Sequence, residues 1–180
     1  MLKQIEKYAP AIPSQRYQVE SYRTDSQPTF NCVEVFPLTT PQLLSYLTSR
    51  GIDYKIAMEQ CKEIHYQYNM NQYYAVAFEN IQGGYEIRNP YFKGCVSPKS
   101  ISVIMANDEM PCDSCCVFEG FVDYLSYLTL KKQITDFTMN EKETDYIILN
   151  SVSQINKALP MLEKYEQINC YLDNDQSGIA

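Results

Sequence analysis

Three carboxylates stand out by where they fall in the chain. Glu119 follows the apolar run Cys115-Cys116-Val117-Phe118 and precedes Gly120. Asp173 and Asp175 follow the run Ile168-Asn169-Cys170-Tyr171-Leu172, with Gly178 shortly after. Asp173 and Asp175 are two positions apart, so on an extended chain both point to one side and can serve one ion. Carboxylates held at close range raise one another's pKa unless a cation relieves the repulsion. Mg²⁺ takes oxygen ligands and binds through one or two carboxylates together with water and substrate phosphate. The chemistry this trio suggests is divalent-metal binding for phosphoryl transfer. Glu119 is then free to act as general base or as a second ligand.

The trio can meet only if its two stretches are neighbouring strands. The runs at 115–118, 146–149 and 168–172 are short and apolar, as buried strands are. Between them Phe121, Val122, Leu125 and Leu128 have helical spacing, as do Val152, Ile155, Leu159 and Leu162, with a kink or restart expected at Pro160. Strands separated by helices predict a right-handed parallel sheet. Ligands bind outside the carboxyl ends of such strands, where Glu119, Asn150-Ser151 and Asp173 fall. Gly120 lets the chain turn tightly into a helix whose start favours an anion.

The first half has another rhythm. Pro10, Pro13, Pro28 and Pro37 punctuate residues 1–38, which read as an irregular arm with a short strand at Cys32–Phe36. Thr40 can cap a helix opened by Pro41, with Leu43, Leu44 and Leu47 buried and Gly51 at its end. Asp53 caps a second helix to about Cys61. Runs at 64–68, 73–78 and 84–88 read as an antiparallel meander with turns at 69–71 and 80–83. The expected class is α/β: a small α+β unit over 39–110, then a parallel sheet over 111–180. Tyr66, Tyr68, Tyr73 and Tyr74 read as cross-strand packing rather than a base-stacking platform. His65 is expected on a strand face, paired with a backbone carbonyl.

Composition narrows the functions. With 15 basic against 22 acidic residues the net charge is −7, a poor footprint for gripping a duplex by its phosphates. Nucleic-acid chemistry would need a local basic patch or a metal. No apolar run approaches the ~18 residues of a membrane span, and the start lacks a secretion signal. A cytoplasmic protein with no membrane partner is expected. Seven cysteines, an odd count, fit reduced thiols. Cys112-Asp-Ser-Cys115 is half a zinc site at most, since four ligands are needed, so zinc is not expected in this chain. Asp173 to Gly178 also matches the opening of a calcium-binding loop, but that loop follows a helix, and here a strand precedes it.

On these residues the chain resembles a known family. Val117-Phe118-Glu119-Gly120-Phe121-Val122-Asp123 is similar to the strand, glutamate, glycine and helix that open a toprim domain. Cys170 to Gly178 resembles its D-x-D strand followed by x-x-G. The family includes bacterial primases, topoisomerases, recombination-repair proteins and related nucleases. Leu47-Thr48-Ser49-Arg50-Gly51-Ile52, Tyr74 to Phe78 and Tyr85 to Asn89 resemble the opening of the primase catalytic core. The nearest likeness is to primase-like proteins of mobile elements. The resemblance implies Mg²⁺ or Mn²⁺ held by Asp173, Asp175 and Glu119, with Glu119 as the acid or base. Arg88, Lys93 and Lys99 become candidates for nucleotide or template phosphate. Implied partners are nucleotides, a single-stranded template, and replication or mobilisation proteins. Two departures bear on activity: no zinc-binding segment precedes the core, and Ala180 falls where the next helix should start, so the domain reads as truncated. A toprim nuclease or nicking protein and a non-catalytic docking module are the alternatives.

Overall fold

The computed structural model describes residues 30–107, 112–135 and 144–173. Two sheets share one central core. The first contains β1 (Asn31–Pro37), β2 (Lys62–Tyr68), β3 (Asn71–Glu79), β4 (Tyr85–Arg88) and β5 (Lys93–Val96), antiparallel and in sequential order. Helices α1 (Pro41–Ser49) and α2 (Tyr54–Gln60) lie between β1 and β2. The second sheet contains β6 (Ser102–Ile104), β7 (Ser114–Phe118), β8 (Asp145–Ile148) and β9 (Gln167–Tyr171), in the order β6-β8-β7-β9. Helix α3 (Phe121–Thr135) joins β7 to β8, and α4 (Ile155–Leu162) joins β8 to β9.

Pairing of β7 with both β8 and β9 is parallel, so the class read from the sequence holds. The strand order adds what periodicity could not supply. The chain leaves β7 toward β8 on one side, then crosses back to place β9 on the other. Connections of one hand in opposite directions put α3 and α4 on opposite faces. Alternation along β7 supports both layers. Cys116 and Phe118 join the core with α3 and the first sheet, whereas Cys115 and Val117 pack with Ala158 and Leu162 of α4. The C-x-x-C step thus ends inside a buried strand. Pro160 sits within α4.

Local chemistry explains several boundaries. Pro41 opens α1, and Gly51, at φ +80°, closes it with its N–H on Thr48 O at 2.9 Å. Asp53 caps α2 by accepting from Lys55 N at 2.8 Å and Ile56 N at 3.3 Å. The expected Thr40 side-chain cap does not form. Its hydroxyl instead donates to Glu63 Oε1 at 2.6 Å, and its N–H to Glu63 Oε2 at 2.9 Å, because the buried carboxylate is the stronger acceptor. His65 likewise pairs with Glu63 Oε1, at 2.6 Å, rather than with a backbone carbonyl.

Two strands lay outside the sequence reading. β5 extends the meander, and β6 adds an antiparallel edge to the otherwise parallel sheet. Each is at most four residues long, too short for a periodic signal. The tyrosines pack across strands: Tyr66 stacks on Tyr73 with ring centres 5.7 Å apart, and Phe30 meets Tyr66 edge-on at 4.7 Å. Among the described residues no helix is long and apolar enough to cross a membrane.

Candidate metal and phosphate site

Because the chain runs both ways from β7, its junction with β9 is the switch point of the sheet, where an open α/β sheet forms its ligand crevice. Val117 pairs with Cys170 and Phe118 with Tyr171. In-register strands of one direction bring the residues that follow them to one rim. Glu119 follows β7, Asp173 lies two residues past the end of β9, and the Asp173 N–H donates to Glu119 Oε2 at 3.3 Å. Two stretches separated by 54 positions therefore meet. Asp175 lies outside the described residues.

A third acid joins them from the first turn of α3. Asp123 Oδ2 accepts the Gly120 N–H at 3.2 Å. A Cβ on Gly120 would stand 3.1 Å from that oxygen, so glycine allows the close approach. Burial pushes the Asp123 carboxyl up, and the Asp173 charge adds to this. The Gly120 N–H, Arg88 and Lys93 pull it down. Asp123 stands in the strand-glutamate-glycine-helix motif, but no role for it follows from the sequence pattern alone. The helical step from Gly120 was the available signal.

The opposite wall comes from the first sheet. Arg88 on β4 and Lys93 on β5 are directly paired and share a face. With Arg50, at the end of α1, they line a cavity of about 340 Å³ that also contains Glu119, Asp123 and Asp173. Arg50 and Arg88 are the only arginines among the described residues, and both border it. This is the local basic patch that the net charge of −7 made necessary. Arg50 escaped the sequence reading as a site residue although it sits beside the helix-ending glycine. Lys99 does not line the cavity. Its backbone carbonyl accepts from Lys157 Nζ at 2.7 Å, and its charge acts on Glu86 and Cys95 instead.

The acids present are hard oxygen donors, and Mg²⁺ needs only one or two carboxylates besides water and phosphate. Glu119 and Asp173 meet that requirement. Among the described residues no group of three His, Cys, Asp or Glu side chains is close enough to hold an ion, and Asp175 is not one of those residues. The repulsion that the Asp173 charge exerts on Asp123 is what a bound cation would relieve.

Acids thus stand at the switch point of a parallel sheet with cations facing them. In comparison with known families, residues 116–180 match the family described as Toprim-like. The part of the chain that bears Glu119 and Asp173 is toprim-like, as its motifs implied. Residues 32–97 match a domain of unknown function, DUF8464. No curated protein matches the chain significantly. One solved structure similar to it is that of bacteriophage T7 lagging-strand DNA polymerase interacting with primase domains of two gp4 subunits bound to an RNA/DNA hybrid and dTTP. The identity is 17% and the TM-score 0.46, over 74% of this chain and 61% of that one. The chain thus spans less than two thirds of the solved chain it matches.

Proposed function

We propose that this chain is a primase-type toprim protein, which uses Mg²⁺ or Mn²⁺ to join nucleotides along a single-stranded template in the replication or transfer of a mobile element. The observation that carries the reading is the meeting of Glu119 and Asp173 at one rim, 3.3 Å from carboxylate to N–H, beneath a basic wall. Asp173 and Asp175 would hold the metal. When bound, it supplies charge neutralisation for a transferring phosphoryl group. Glu119 accepts the proton of an attacking hydroxyl. Arg50, Arg88 and Lys93 hold phosphate oxygens, the arginines in a bidentate manner. The facing signs explain how an acidic chain can take a polyanion: the cations bind the phosphates while the metal shields the acids.

Asp173→Ala is expected to lower Mg²⁺ affinity in calorimetry by ~10-fold or more, from the loss of one of the few carboxylates such a site uses. Unchanged affinity would sink the proposal. Product analysis on a single-stranded template with nucleoside triphosphates distinguishes extension, expected here, from the cleavage a toprim nuclease would give.

A further inference from the structure

The cavity contains two polar groups that the metal and phosphate roles leave unused. Glu86, on β4, and Asn150, just after β8, line it from the two different sheets. Each is only 4% exposed, and each keeps one side-chain oxygen without a hydrogen-bond partner, Glu86 Oε1 and Asn150 Oδ1. Buried oxygens are almost always paired, and an unpaired one calls for an explanation. Asn150 is fixed in place. Its Nδ2 donates to Ser100 O at 2.9 Å and to Ser102 Oγ at 3.0 Å, which leaves Oδ1 as the open acceptor. Its φ of +62° is one that asparagine tolerates better than most residues.

The chemistry of the pair selects a ligand group. An amide oxygen only accepts, while a carboxyl accepts when ionised and donates when protonated. A phosphate would be repelled by the first and by the ionised form of the second. A pair of neighbouring hydroxyls satisfies both, because each has one proton to donate and each oxygen takes one. We propose that Glu86 and Asn150 form a sugar-hydroxyl subsite, which holds the ribose 2′- and 3′-hydroxyls of a nucleotide whose phosphates lie against Arg50, Arg88 and Lys93. The inference rests on the reading of that basic wall as a phosphate site. Burial raises the Glu86 carboxyl, against Lys99, Cys95 and Lys93, which lower it. An ionised Glu86 accepts from its hydroxyl, and a protonated one can also donate to it, so the pairing does not depend on which form is present.

The test is calorimetry on the full chain with Mg²⁺ and four probes: inorganic triphosphate, ATP, 2′-deoxy-ATP and 2′,3′-dideoxy-ATP. Inorganic triphosphate should bind. ATP should bind ~10-fold or more tightly than the dideoxy analogue, because that analogue leaves buried oxygens unpaired. The 2′-deoxy analogue, which keeps the 3′-hydroxyl, should bind between the two. Glu86→Leu should reduce the preference to within ~3-fold while inorganic triphosphate still binds, and Glu86→Gln, which keeps an oxygen there, should retain most of it. Equal affinity of the unaltered protein for ATP and dideoxy-ATP overturns the subsite and leaves the phosphate reading standing. So does an unchanged preference in Glu86→Leu. Should that variant not fold, the analogue series on the unaltered protein decides alone. Failure of inorganic triphosphate to bind overturns both readings.

Discussion

The two ends of the parallel sheet put the same functional group to opposite uses. Where β8 begins, Asp145 is fully buried and accepts from Ala106 N at 2.8 Å, Cys112 N at 3.1 Å and Tyr165 Oη at 3.0 Å. Burial and this carboxylate push the Tyr165 phenol above its usual range, so it remains a donor. At the opposite rim, among the described residues, Glu119 accepts one N–H at 3.3 Å and Asp123 one at 3.2 Å. A carboxylate whose lone pairs are filled by protein donors fastens loops together. One whose lone pairs are left open, beside other acids, is available to a cation. Partner number, rather than residue type, separates the structural acid from those proposed to bind metal.

The sharpest way to break this comparison is to remove the acid that is fully engaged. Asp145→Ala takes the acceptor from two backbone N–H groups and a tyrosine hydroxyl, all in part-buried bonds. It is expected to cost about 3–5 kcal/mol of stability in urea denaturation. Asp173→Ala in the same assay should stay within about 0.5 kcal/mol of the unaltered protein. Similar losses at both ends would mean that the rim acids, too, are structural.

Which end was which could be read only partly from the sequence. Glu119 and Asp173 were visible because each follows a short apolar run, and a parallel sheet brings such ends together. Asp145 was invisible as a structural acid. Its donors come from positions up to 39 residues away, and nothing in a local pattern records who will donate to whom. The basic wall was half legible. Arg88 and Lys93 are candidates through the resemblance to the primase core, but their position opposite the acids depends on how the two sheets pack. That packing is set by Val76 and Phe78 of one sheet meeting Phe118 and Ile148 of the other through α3. Arg50 and Asp123 were missed for the same reason: each is unremarkable until a second element arrives beside it. Lys99 shows the converse, a basic residue of the same stretch that does not line the cavity and reaches it only through its charge on Glu86.

A finer test lies at the turn between β7 and α3. Gly120→Ala places a Cβ 3.1 Å from Asp123 Oδ2, so the carboxylate must give way and its bond to the Gly120 N–H weakens. The expected cost is about 1 kcal/mol, partly offset because alanine has fewer unfolded conformations to lose. In an Asp123→Ala background the same substitution should cost nothing or stabilise, a coupling of about 0.5–1.5 kcal/mol by double-mutant cycle. Additive effects would show that Asp123 is not held over Gly120, and the rim would lose its third acid.

The smallest effect concerns a second engaged carboxylate, on the other sheet. Glu63 is buried, which by itself would raise its carboxyl, but Thr40, His65 and Thr39 donate to it and together hold it below its ordinary 4.5. A depressed folded pKa gives stability that is fully present above the unfolded value and is lost as pH falls through the folded one. Glu63→Gln removes the titrating group and the charge that attracts those donors. The unaltered protein should therefore be the more stable of the two near neutrality. Its advantage should shrink between about pH 5 and pH 3, as Glu63 takes up a proton. Urea midpoints across that range measure it. A difference that stays constant with pH would mean that Glu63 gains nothing from its charge and belongs with the open carboxylates of the rim instead of with Asp145.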